Sequence, residues 1–328
     1  MSAASDRTAA ARLLAPSRWR AWEVVLWLAI AATPVVLGGH APLINEIAIF
    51  ALFALSLDLI LGYAGIVSLG HAAYFGAGAY AAGLFAKHVM PDPLVGLLVG
   101  IVVAAVLGAL TSPMIVRGTD LTRLMVTMGI ALVLEELANK FDNITGGIDG
   151  MQGVVIGPLL GRFEFDLGAR VASVYSLAVL FVAFFLLRRL VHSPLGASLQ
   201  ALRDNRLRVS AIGMSVQARL AVVYTVGAAL AGAAGALLTQ TTGFVSLDVL
   251  EFHRSADVML ALVIGGAGWL YGGLAGAIAF KVMHDLLSAI TTQYWTFWIG
   301  LFLVVLMLVG RDRLFKPWRW FRRAGGVR

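Results

Sequence analysis

The sequence predicts an all-α membrane protein of many spans, and three observations carry that prediction. Hydrophobic residues make up 60% of the chain and charged residues only 13%, where soluble domains carry about a quarter charged. Apolar runs recur at close to the roughly 20 residues that cross a bilayer as a helix. Lysine and arginine cluster in the segments that would alternate onto one side.

About ten spans or half-spans are expected, in order Trp22–Gly38, Leu43–Leu61, His71–Ala86, Leu94–Val116, Leu121–Ala138, Val171–Leu190, Leu220–Thr241, Ala256–Leu270, Gly273–Ile290 and Trp295–Gly310. The runs ending near Ala86 and Leu270 are short and read as half-helices or re-entrant segments. A basic segment, 1–21, precedes a single membrane domain, 22–310, and a basic tail, 311–328, follows it. The N-terminal segment has a long charged region and no A-x-A site, which points to an uncleaved first helix. Arg7, Arg12, Arg18 and Arg20, the Arg117–Arg123 turn, Arg188–Arg219 and the tail hold 19 of the 25 Lys and Arg. Alternation of ten spans puts all four groups on one side. The positive-inside bias makes that side, and both termini, cytoplasmic. A basic tail of this kind sets topology at anionic lipid, so the net charge of +7 does not imply nucleic acid. Cysteine is absent, which removes disulfides, thiolate metal sites and a cysteine nucleophile.

Two glycine series interrupt the apolar pattern. The first, Gly62-Tyr63-Ala64-Gly65-Ile66-Val67-Ser68-Leu69-Gly70-His71, brings hydroxyl and imidazole groups to a place where a helix can unwind. Backbone that leaves the helix inside lipid must be satisfied by protein or by a water-filled cavity, so Ser68 and His71 are candidates either to meet a polar solute or to cap freed backbone groups. Gly76, Gly78 and Gly83 fit close helix packing. The second series, Gly265 to Gly276, offers backbone freedom and little side-chain chemistry. Paired broken helices suggest an inverted repeat with a solute path between the halves. The matching elements on this reading are Gly62–Gly83 and Gly265–Gly276. Candidate path residues are Asp58, Tyr63, Ser68, His71, Gly265 and Gly266; for Asp58 the alternative is a hydrogen bond to the unwound Gly62 segment. Among the other charges, Glu135, Glu136 and Asp257 sit near interfaces. Lys281 and Asp285, spaced i,i+4, are expected to pair.

The two long loops differ. Residues 139–170, expected outside, hold Asp142, Asp149, Glu164 and Asp166 among seven glycines. Residues 191–219, expected inside, are basic. There Ser193-Pro194 opens a helix as N-cap and first residue, and Leu195, Leu199 and Leu202 form one apolar stripe. Asp204-Asn205 interrupts it and caps a second short helix with Arg206 and Arg208, which Gly213 ends. Such a helix pair suits either a partner's groove or the membrane surface.

These segments together resemble the permease subunits of branched-chain amino-acid ABC transporters of the LivM type. The resemblance rests on Leu61 to Ala72, on Ser193-Pro194-Leu195-Gly196 through Ala201-Leu202-Arg203-Asp204-Asn205 to Ala211-Ile212-Gly213, and on Gly265-Gly266-Ala267-Gly268 through Tyr271-Gly272. Thr145 to Gly150 is similar to the family's outer-loop motif. The resemblance implies an importer. A second permease completes the pore, two cytosolic ATPases carry the ATP and Mg, and an extracytoplasmic binding protein delivers the amino acid. It implies no cofactor and no catalytic residue on this chain. It makes the 191–219 loop the coupling element, with Ser193, Pro194, Gly196, Leu199, Leu202, Arg203, Asp204, Asn205, Arg206 and Gly213 as its residues, and places the chain in the bacterial inner membrane. Three positions depart from the family pattern: Asp58 for a frequent Asn, Ile148 for a frequent Ser, and Arg206 for a frequent Glu; with them the cargo the resemblance implies is a branched-chain amino acid or a related solute, namely another amino acid, an amide or urea.

The chain has no Gly-Lys pair and so no P-loop of its own. It has no H-E-x-x-H, and no serine–histidine constellation stands out. These absences argue against an intramembrane enzyme. The alternative from another class is a self-contained ion-coupled transporter using Asp58 or the Lys281–Asp285 pair.

Overall fold

The computed structural model describes residues 21–36, 38–166, 168–290, 297–302 and 304. Its helices are α1 (Ala21–Val36), α2 (Ala41–Asp58), α3 (Ala72–His88), α4 (Pro93–Arg117), α5 (Asp120–Lys140), the short α6 (Asp142–Thr145), α7 (Arg170–Val191), α8 (Pro194–Asp204), α9 (Arg206–Ala211), α10 (Val216–Thr242), α11 (Phe252–Gly265) and α12 (Leu270–Ile290). Nine of the ten expected spans fall on these helices. The tenth, Trp295–Gly310, lies largely outside the described residues, as do residues 1–20 and the tail 311–328 with their arginines.

By length and apolar composition alone, four segments are able to cross a membrane: Gly38–Tyr63, Pro93–Arg117, Arg170–Val191 and Val216–Thr242. The pair α11 and α12, bent by 115° at its break, makes a fifth when taken as one span. That is fewer than ten because α11 and α12 count as one, the tenth lies largely outside the described residues, α1 has only 16 residues, and α3 and α5 fall short as well. The α3 helix is only 17 residues long, and α5 carries Asp120, Arg123, Glu135, Glu136 and Lys140. Both belong to the bundle through packing rather than through hydropathy.

Local chemistry explains the boundaries. Asp92 Oδ1 accepts from the Leu94 and Val95 amides at 2.9 and 3.1 Å and starts α4, with Pro93 as its first residue, where a missing N–H costs nothing. Asn205 Oδ1 accepts from the Arg208 amide at 3.0 Å and starts α9, and Gly213, in the left-handed region, follows its end. The α2 helix is apolar on nearly every side and nearly every side is buried, the arrangement of a central helix. The α10 helix packs on α3 and α4 through small residues, with Gly78 against Gly232 and Gly108 against Ala228. Small residues bring backbones close where lipid supplies no hydrophobic drive.

The bundle has two distinct ends. At one end, residues 59–71, 117–120, 191–216 and 266–269 meet; Arg206 lies 3.9 Å from Asp120. At the other end the 139–170 loop closes over the bundle. Gly157 donates to Pro91 O at 2.6 Å, and Lys87 donates to Gln152 O at 3.3 Å. The arginine-rich end is the inner one on the charge rule.

An inverted repeat is visible and relates the spans that start at Leu43 to those that start at Leu220, as the sequence suggests, but the two glycine series are not its matching elements. A single shift of 178 residues carries Gly65-Ile66-Val67-Ser68-Leu69 onto Gly243-Phe244-Val245-Ser246-Leu247, and Gly65 and Gly243 both have φ of 66°. The same shift lays α2 on α10, α3 on α11 and α4 on α12. Packing follows it: α2 rests on α11 and α12 as α10 rests on α3 and α4. The two five-residue elbows sit at opposite ends, as inversion requires. The Gly265–Gly276 series is therefore not the counterpart of Gly62–Gly83, because the two breaks lie at the same end and touch.

Candidate functional site

The first break begins as a π-helical turn, Leu59–Tyr63, closed by the Ile66 amide on Ile60 O at 3.0 Å. A Cβ on Gly62 would come within 2.8 Å of Gly268 Cα, so only glycine lets the two breaks meet. Asp58 joins them. Its Oδ1 accepts from the Gly268 amide at 2.7 Å, and it is fully buried. From the inner loop, Arg203 donates to Gly62 O and Arg206 donates to Gly65 O at 3.4 Å. Tyr63 is buried against the first residue of α12. The inner junction thus holds Asp58, Tyr63, both glycine breaks and two arginines of the loop. Gly265 lies inside the bend, tight against Gly272 and Gly276, and Gly266 leaves the helix at φ 96°.

Ser68 and His71 lie deeper. The Ser56 hydroxyl donates to Phe53 O at 2.6 Å and lies 2.8 Å from His71 Nε2. Its single proton being spent on the carbonyl, His71 must be the donor of the second bond. The imidazole stacks on Phe53 at 5.5 Å. Ser68 is buried beside Tyr224. The amide of Ala72, freed at the start of α3, is capped by neither; it donates to Ser255 Oγ at 2.8 Å.

None of the six expected path residues lines the cavity at the outer end. That chamber, of about 360 Å³, is lined by Asn45, Glu46, Ile49, Phe50, Phe53, Phe75, Leu238, Thr242, His253, Arg254, Asp257, Phe280, Lys281 and His284. Lys281 pairs with Glu46 at 3.1 Å and stands over the Phe50 ring at 5.5 Å. The expected Lys281–Asp285 pair is therefore corrected: Lys281 turns toward Glu46 on α2, across the chamber, instead of along its own helix. Two carboxylates, Glu46 and Asp257, face two permanent cations, Arg254 and Lys281, against a wall of phenylalanine. A sequence signal for this set exists. Arg254 and Asp257, and Lys281 and His284, repeat at i,i+3 near the outer ends of apolar helices, where intramembrane polar groups mark solute paths.

The inner loop is built as two helices. Ser193 begins α8 with its backbone, while its hydroxyl donates back to Leu190 O at 2.6 Å and makes no side-chain cap. A Cβ on Gly196 would strike the Val191 backbone. Leu199 and Leu202 are fully buried and seat α8 on the bundle. Asp204 and Arg208 face outward. Two apolar side chains stand exposed beside them, Leu207 at 82% and Ile212 at 70%.

The profile of the branched-chain amino acid transport system permease component family matches residues 41–310. The chain belongs to this family. As a permease component of such a transport system it falls among transporters and not among enzymes. Similar curated proteins include the high-affinity branched-chain amino acid transport system permease LivM of Escherichia coli K12, 27% identical over 89% of this chain and 73% of its own length. The probable LivM of Methanocaldococcus jannaschii is 24% identical over 73% of this chain and 79% of its own length. The LivH permease of Salmonella typhimurium is 22% identical over 75% of this chain and 84% of its own length. No solved structure gives a significant match. The permease thus resembles both members of a two-permease system, and more strongly the LivM member.

Proposed function

We propose that this permease imports branched-chain amino acids through the inner membrane of a bacterium. A LivH-like second permease completes the pore, two cytosolic ATPases supply ATP and Mg, and an extracytoplasmic binding protein delivers the solute. The observation that carries the reading is the outer chamber. Balanced charges of both signs suit a zwitterion, and the phenylalanine wall suits an aliphatic side chain. Its volume of about 360 Å³ lies at the small end of the usual range of roughly 300 to 1,000 Å³.

The inner junction supplies the coupling. ATPase closure displaces α8 and α9; Arg203 and Arg206 carry that displacement to Gly62 and Gly65, and Asp58 carries it to Gly268. The exposed Leu207 and Ile212 form the apolar centre of the ATPase contact. The test is leucine uptake by the reconstituted complex. Asp257→Asn and Lys281→Met are each expected to lower uptake at least about tenfold, with assembly intact, since each removes a charge that lines the chamber at membrane depth, where such groups serve the solute path. Unchanged uptake in both variants would overturn the chamber. Uptake by this chain alone, driven by an ion gradient without ATP, would overturn the importer.

A further inference from the structure

Thr242, one residue before the outer elbow Gly243–Leu247, lines the chamber, which sets the cavity beside that elbow. Counted by its lining alone the chamber is balanced, with Glu46 and Asp257 against Arg254 and Lys281. Its neighbours tip that balance. Lys281 is bonded to Glu46 at 3.1 Å. Arg254 donates to one oxygen of Asp248 through Nε at 3.0 Å and through Nη2 as well. His253 is held between two carboxylates, with Nε2 3.0 Å from Asp248 Oδ1 and Nδ1 2.8 Å from Glu251 Oε2. Across the chamber and its rim, four carboxylates, Glu46, Asp248, Glu251 and Asp257, therefore stand with two permanent cations.

Asp257 is the carboxylate left over. It lies on α11 one turn from Arg254 and is half-buried. Arg254, Lys281, His253 and His284 surround it, yet no hydrogen bond or ion pair reaches its oxygens among the described residues. Ionisable groups at membrane depth are paired or belong to a solute path, and a charge withdrawn from water without a partner is costly. Each permanent cation nearby is already bonded to another carboxylate, so turning it to Asp257 strands Glu46 or Asp248. The partner that fits is a cation brought in from outside, with several N–H donors of its own. An α-ammonium is such a group. With it seated at Asp257, the solute's carboxylate meets Lys281 and Arg254, which have more donors than Glu46 and Asp248 take up, and an aliphatic side chain meets the phenylalanine wall. Amides and urea carry no cation and leave Asp257 as it was.

We propose that Asp257 binds the cargo's α-ammonium, and that the chamber thereby selects amino acids over neutral amides and over acids without an amino group. The proposal rests on the chamber reading above and deepens it, choosing among the solutes that the resemblance leaves open. A site built to bond a polar group rejects analogues without that group steeply, because its own group is then left unpaired. A binding protein imposes its own selectivity on uptake, so the test is thiol protection in the detergent-purified complex, free of binding protein and nucleotide. The chain has no cysteine, so Thr242→Cys places a single thiol of this chain on the chamber. The rate at which a small maleimide labels it is followed against ligand concentration, and each half-protecting concentration is read against the unliganded rate of the same variant. Leucine is expected to protect. Isocaproate, which is leucine without its amino group, and the neutral isocaproamide are expected to need at least about a hundredfold higher concentrations. Asp257→Asn, added to the thiol variant, is expected to raise the half-protecting concentration of leucine at least about tenfold and to leave that of isocaproamide unchanged. Protection by isocaproamide at the concentrations of leucine would overturn the selection. Leucine protection unaltered by Asp257→Asn would overturn Asp257 as the ammonium's seat. A chamber that leucine protects at no concentration, with Asp257 intact, would instead overturn the chamber reading, and this proposal with it.

Discussion

At Asp58 one buried carboxylate holds two unwound segments that are 210 residues apart in sequence. The bond it makes needs an acceptor, not a charge, and an asparagine carbonyl oxygen offers the same acceptor. Asp58→Asn is therefore expected to preserve the fold, whereas Asp58→Ala leaves the Gly268 amide buried without its partner and costs about 1 to 3 kcal/mol. Thermal unfolding of the detergent-purified protein distinguishes the two; equal losses for both would show that the charge itself is structural. Arg203 belongs to the same junction. It is read from sequence as part of the ATPase contact, but its guanidinium is turned inward onto Gly62 O. Arg203→Ala is expected to keep the ATPases bound while leucine carried per ATP falls. Loss of the ATPases from the purified complex would refute that division. That Asp58 bonds unwound backbone is one of its two readings from sequence, but its partner in the second break, Gly268, was not legible, because every residue but proline has an amide.

Among the elements, α9 and α1 carry the clearest consequences. On α9 the apolar Leu207 is exposed at the arginine-rich end, beside arginines that suggest docking even in the sequence. Leu207→Asp changes no packed contact of the fold and is expected to reduce co-purification of the ATPases about tenfold, as loss of one central apolar anchor does. Normal co-purification would place the contact elsewhere. The α1 helix is fastened by a buried ion pair: Arg188 Nη1 donates to Glu23 Oε2 at 2.5 Å and to the Tyr271 hydroxyl at 3.2 Å. Glu23, Arg188 and Tyr271 tie α1 and α7 to the start of α12, beside the second break. Glu23→Ala takes the carboxylate away from a buried guanidinium that keeps its hydrogen bond to Tyr271, and is expected to cost about 3 kcal/mol, read as a lower unfolding temperature. An unchanged temperature would mean that α1 is held by packing alone. The helices themselves were largely legible, since most follow an apolar run, and side-chain caps mark the starts of α4, α5 and α9. This pairing was not, because neither Glu23 nor Arg188 announces a partner 165 residues away.

For the whole molecule, the chain is two inverted halves with an elbow at each end and a chamber beside the outer elbow. The orientation assigned from arginine placement makes a direct prediction in a protein without cysteine. Ile148→Cys is expected to react with a membrane-impermeant thiol reagent added outside intact cells, and Leu207→Cys only after the membrane is opened; the reverse pattern would invert the topology. The sequence alone determined that this is an all-α membrane protein, the chain segments in which its helices lie, and the family it resembles. Those properties follow from apolar runs, caps and charge clusters, each of which acts within a few residues of chain. Tertiary structure alone decided that the two glycine breaks form one junction, that the mate of Gly65 is Gly243, that Lys281 crosses to Glu46, and that residues from α2, α10, α11 and α12 enclose the chamber. The physical reason is that these contacts join segments far apart in the chain, and a carbonyl, an amide or a lone charge carries no local mark of which distant group it will meet.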